Sequence, residues 1–72
     1  MAIQRVYVEL MGEGVDVWRP VEATVEADGT FRLPDEAPDD EAWRFAPGSL
    51  VRCEPRAFSE GEALVAVELL VG

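Results

Sequence analysis

The sequence predicts an all-β fold, either a small five-stranded barrel or two orthogonally packed β-sheets. Five segments show the two-residue apolar alternation of half-buried strands. No segment of helix length carries a 3.6-residue apolar stripe. Glycine or proline turns separate the five segments. The 72 residues make one domain, and a chain this short buries only about 60% of its unfolded surface. Closing the sheet on itself removes the edges that a small open sheet would expose.

The first strand spans residues 3–11, with Val6, Val8 and Leu10 on one face and Arg5, Tyr7 and Glu9 on the other. The second spans 15–27, with Val21, Ala23 and Val25 opposite Glu22, Thr24 and Glu26. Asp28-Gly29 then predicts a type I′ hairpin turn, which needs positive φ at both central residues. The third strand, 30–34, sets Phe31 and Leu33 on one side and closes at Pro34. An acidic loop follows over 35–48, where Asp39 is placed to cap one helical turn over 40–43 and Pro47-Gly48 centres a turn. The fourth strand, 49–54, is expected to end at Pro55, and the chain turns again at Gly61. The fifth, 63–71, is apolar on both faces apart from Glu68, as suits a strand buried twice over or covered by a second chain. Self-association through Leu64 to Val71 is therefore expected.

Composition narrows the function. Fifteen carboxylates against six arginines give a net charge of −9. Such a field repels phosphate backbones and anionic membranes and attracts cationic surfaces, so the expected partner is a basic protein, not nucleic acid or membrane. The chain has no histidine and no lysine, which removes the commonest general base and the Schiff-base amine. Ser49 and Ser59 lie in no nucleophile motif, and Cys53 continues the alternation of Val51 as a small buried hydrophobe. No enzyme activity, cofactor or metal is expected. The carboxylates Asp35, Glu36, Asp39, Asp40 and Glu41, with Glu13 and Asp16 in an earlier loop, lack the alternating spacing of a calcium loop. One cysteine allows no internal disulfide, and the first residues lack the pattern of a signal peptide, so a cytoplasmic protein is expected. Arginine in place of lysine, with abundant alanine, valine and glycine, suits a GC-rich, bacterial coding sequence.

Two stretches set tryptophan beside arginine. In EGVDVWRPVEA, Gly12 and Gly14 allow a sharp loop before Trp18-Arg19-Pro20. Strict alternation back from Val21 turns Arg19 inward and Trp18 outward, which a small core resists. A bulge near Pro20 would reverse the two, and Trp18 would cap one end of the barrel. In the competing reading an exposed Trp18-Arg19 pair anchors an interface, as these residue types often do. AWRF repeats the arrangement, with Trp43 and Phe45 flanking Arg44, either pinning their own loop or presenting a groove. The expected partner-binding set is Trp18, Arg19, Asp39, Asp40, Glu41, Trp43 and Arg44.

The strand order, the tight second hairpin and PGSLVRCE before a final hairpin resemble SH3-like barrels. In SH3 domains an aromatic groove binds proline-rich peptides, but the spacing of those groove aromatics is not reproduced here. YVELMGEGVDVWRPVEA and WRFAPGSLVRCE are also similar to a group of short, uncharacterised bacterial proteins, a resemblance that implies no activity.

Overall fold

A computed structural model describes residues 2–12 and 17–71. Five strands are present: β1 (Ala2–Glu9), β2 (Trp18–Val25), β3 (Phe31–Arg32), β4 (Leu50–Phe58) and β5 (Gly61–Val71). They form a closed barrel in chain order, consistent with a small SH3-like barrel. Consecutive strands pair antiparallel, and a single parallel bridge, Tyr7 to Val65, joins β1 to β5. The described residues contain no helix, so none is long and apolar enough to cross a membrane.

Alternation on β1 and β2 builds most of the interior. Val6, Val8 and Leu10 face Val21 and Ala23, and Leu33, Phe45, Val51, Val65 and Ala66 complete the buried apolar set among the described residues. Among the described residues Ser49 is the buried polar one, and its Oγ has no hydrogen-bond partner among them. Burying an unpaired hydroxyl works against folding by about 1–3 kcal/mol.

Several local expectations need correction. The hairpin after β2 is not a two-residue type I′ turn. Gly29 N–H donates to Glu26 (3.0 Å) and Glu26 N–H donates to Thr30 (2.8 Å), enclosing a three-residue loop with φ 84° at Gly29. That pattern fits a type I turn followed by a left-handed glycine. Asp28 Oδ1 braces the loop by accepting from Thr30 Oγ1 (2.6 Å) and Thr30 N–H (3.2 Å). The third strand shrinks to two residues, although Leu33 beyond it is still buried. No helical turn forms after Asp39; Glu41 N–H instead closes a turn on Pro38 (3.0 Å). The Pro47-Gly48 turn forms where expected, with Ser49 N–H on Ala46 (3.1 Å) and φ 81° at Gly48.

Pro55 does not end β4. It pairs with Leu64 inside a long hairpin that closes at Phe58 and Gly61. Since β3 reaches β4 only at Leu50 and Val51, the rest of β4 has a free edge where a missing N–H breaks no ladder. The fifth strand also departs from simple alternation. Its pairing skips Val67 and Leu70, which are bulged residues. After each bulge the face changes phase, so Ala66 and Leu69 lie opposite Cys53 and Val51 on the same side.

The segment from Leu64 to Val71 is thus divided. Leu64 packs on the core and Ala66 is part of it, whereas Val65 is buried on the outer face, opposite Tyr7 and beside Trp18. Leu69, Leu70 and Val71 remain exposed at the strand's end.

Candidate functional site

The register of β2 is unbroken from Trp18 opposite Glu9 to Val25 opposite Ala2, so the expected bulge near Pro20 does not form. Two hydrogen bonds explain why Pro20 fits a regular strand. Leu10 N–H donates to Val17 (2.9 Å), whereas Glu9 C=O turns away from β2 and accepts from Arg44 N–H (2.8 Å). By alternation the Tyr7–Pro20 pair exchanges no ladder bond, and the proline nitrogen faces the open edge of β2.

Trp18 therefore lies outside the barrel, as strict alternation has it. It is only partly exposed there because the β4–β5 hairpin brings Phe58 against it. The two rings meet edge to face with centroids 6.1 Å apart, and Phe58 also packs on Tyr7 at 5.7 Å. The Arg56 guanidinium lies 5.1 Å from the Trp18 ring and 5.5 Å from the Phe58 ring. Trp18 Nε1 is buried without an acceptor among the described residues.

Two recesses open beside the indole. One, about 350 Å³, is lined by Tyr7, Trp18, Phe58, Glu60 and Glu62. The other, about 330 Å³, is lined by Glu9, Trp18, Arg44, Glu54, Arg56 and Val65, among others. Aromatic faces and carboxylates thus line the same surface, a combination that suits a cation.

Arg19 has the inward register, opposite Val8, but stands at the barrel mouth and turns its guanidinium out to Glu41. The Glu41 side chain is only 8% exposed and also accepts from Trp43 Nε1 (3.1 Å). The Arg19 hydrogen bond, then that of Trp43, holds the Glu41 carboxyl below its ordinary pKa. The same ion pair raises Arg19 further above its already high value. Arg19, Glu41 and Trp43 therefore form one bracket that fastens the acidic loop to the barrel.

The loop is fastened again through the backbone. Met11 N–H donates to Ala42 (2.7 Å), and Trp43 bridges Leu10. Phe45 is buried in the core, Trp43 packs against it, and Arg44 stacks on Phe45 at 5.0 Å while reaching Glu9 at 3.6 Å. Of the expected acidic residues, Asp39 and Asp40 stay exposed and Glu41 is occupied. Glu13, Gly14 and Asp16 lie outside the described residues.

Apart from the exposed Asp39 and Asp40, the expected set falls into two places. Trp18 and Arg44 share a recess, whereas Arg19, Glu41 and Trp43 form the bracket. Sequence reasoning missed Tyr7, Arg56 and Phe58. An available signal was Tyr7 itself, an aromatic between the charged Arg5 and Glu9 on the outer face of β1.

Cys53 is half-buried, and burial raises its thiol pKa to about 11 against the lowering effect of Arg52. A thiol so protonated at neutral pH is a poor nucleophile. Among the described residues no group of three or more acidic or cysteine side chains is placed to hold a metal ion. No family model, curated protein or solved structure matches this chain.

Proposed function

We propose that this protein is a non-catalytic binding module for a basic protein, acting in the cytosol as an inhibitor or an immunity factor for a cationic toxin or nuclease. The observation that carries this reading is the aromatic recess of Tyr7, Trp18 and Phe58, edged by Glu60 and Glu62. Rings supply contact area at low entropic cost, and carboxylates select positive charge. Four of the arginines are already neutralised by glutamates: Arg19 by Glu41, Arg32 by Glu26, Arg44 by Glu9, and Arg52 by Glu54 and Glu68. Asp39 and Asp40, exposed and in no such pair among the described residues, add to the field that draws a cation in.

The test is stopped-flow and calorimetric titration with a basic polypeptide. Association should slow as salt rises, because charge sets the encounter rate. Neutralising Glu60 and Glu62 should slow it in the same way, whereas Phe58→Ala should speed dissociation. Binding that ignores both salt and these substitutions would refute the reading.

A second reading, a homo-oligomeric structural or regulatory domain, is favoured by one feature, the exposed Leu69, Leu70 and Val71 at the end of β5. Sedimentation decides it: Leu70→Glu should dissociate an oligomer without unfolding it. A wild-type protein that stays monomeric at high concentration would rule it out.

A further inference from the structure

We infer that the seat over Trp18 and Phe58 is a guanidinium site, that Arg56 fills it in the free protein, and that an arginine of the basic partner takes it by displacing Arg56. The inference rests on the binding reading above and names the side chain recognised. Trp18 and Phe58 stand at 79° to one another with centroids 6.1 Å apart, and the Arg56 guanidinium lies within 5.5 Å of both ring centroids. A cation within about 6 Å of an aromatic centroid is drawn to the ring's negative face. The notch therefore already accommodates one guanidinium of the chain's own.

The chemistry favours arginine over lysine. A guanidinium is flat and weakly hydrated, so it stacks on a ring with little loss of solvation, whereas an ammonium is compact and strongly hydrated. Arg56 is exposed, so its side chain can leave without disturbing the core. Carboxylates stand on both sides of the seat, Glu9 and Glu54 in one recess and Glu60 and Glu62 in the other. Glu9 and Glu54 already pair with Arg44 and Arg52, so Glu60 and Glu62 are the ones placed to receive the outward donors of an incoming arginine.

The experiment titrates acetylated hexa-arginine and hexa-lysine peptides into the full chain and follows affinity and the Trp18 indole resonance. The wild type is compared with Arg56→Met and with Arg32→Met, which removes an equal charge at β3. The wild type should prefer the arginine peptide, with a shift at Trp18. Arg56→Met should tighten the arginine peptide at least about twofold relative to Arg32→Met, the least that losing an exposed cation–π competitor gives. Equal or weaker binding by Arg56→Met overturns the displacement while leaving the binding reading intact. So does equal affinity for the two peptides, or an unmoved Trp18 resonance. If neither peptide binds any of the three proteins, the binding reading falls and takes this inference with it.

Discussion

Trp18→Ala removes an indole that lies outside the barrel yet is largely covered, and its cost can be worked from its neighbours. A tryptophan of this kind buries about 150 Å², worth about 4 kcal/mol at ~25 cal/mol per Å². The edge-to-face contact with Phe58 adds about 1 kcal/mol. The exposed Arg56 cation adds about 0.5–1 kcal/mol. Two effects oppose these. Removing the unpaired Nε1 recovers about 1–3 kcal/mol of desolvation. The unfolded chain already buries roughly 10–40% of the apolar area counted. The net loss is about 3 kcal/mol, against about 4–11 kcal/mol for a domain of this length. The variant should therefore fold at 25 °C and melt roughly 12–24 °C lower. Urea and thermal unfolding followed by dichroism measure both values, with Phe45→Ala, a true core truncation costing about 3–5 kcal/mol, as the reference. Trp18→Phe keeps a ring and discards the unpaired donor, so it should lose less than about 1 kcal/mol. If Trp18→Ala is unfolded while Phe45→Ala is not, the indole is a core element and the outer cluster is misjudged. A melt unchanged from wild type would show that Phe58 and Arg56 do not cover it.

Other consequences follow from single side chains. Ser49→Ala should be neutral or stabilising by up to about 1 kcal/mol in urea unfolding, because the buried Oγ has no partner among the described residues; a clear loss of stability would mean that it has one. Cys53 should react with a disulfide reagent at pH 8 about 100-fold more slowly than a free thiol, since burial pushes its thiol up to about 11. Its raised pKa also sets an alkaline limit. This contribution is complete below the unfolded value of 9.0 and is lost as pH rises towards about 11, and Cys53→Ala should flatten that limb. Glu41 and Asp28 set the acid limit through lowered pKa values, caused chiefly by the hydrogen bonds from Arg19 and Thr30 respectively. Their contribution is complete above the ordinary values of 4.5 and 3.8 and fades as pH falls through the depressed folded ones. Glu41→Gln should weaken the acid dependence of unfolding, and an unchanged pH profile would mean that the bracket to Arg19 contributes nothing.

The fold was legible wherever one strand's own alternation decided the outcome. Val6, Val8, Val21 and Ala23 repeat every second residue and are buried for that reason. What the sequence hid depends on neighbours distant in the chain. The bulges at Val67 and Leu70 exist only relative to β4, so the even apolar run of β5 could not disclose them. Pro55 read as a terminator because a proline's tolerance depends on whether the adjoining edge is occupied, and β3 leaves that edge open. The turn at Gly29 was placed correctly but typed wrongly, since Asp-Gly fits a three-residue loop as well as a two-residue one.

The candidate site was legible in its parts but not in its grouping. Tryptophan beside arginine suggested two similar anchors, yet the pairs serve different ends. At Arg19, Glu41 and Trp43 a cation, an anion and an indole satisfy one another, and the product is a fastened loop. At Trp18 the indole N–H has no acceptor among the described residues, and the ring is covered by an arginine and a phenylalanine from the end of a hairpin. Expecting a bulge at Pro20 rested on the premise that a large aromatic must enter the barrel. The premise fails because a long hairpin can bring apolar cover to the outside. A strand this short exposes one face to solvent only until another element lies across it, and here the covering element carries both the partner ring, Phe58, and a cation, Arg56. The same geometry that stabilises Trp18 therefore builds a cation seat at the surface, so packing and recognition at this position cannot be separated by burial alone. They separate only by substitutions that change one and spare the other, which is why Arg56, exposed and outside the core, is the residue to alter.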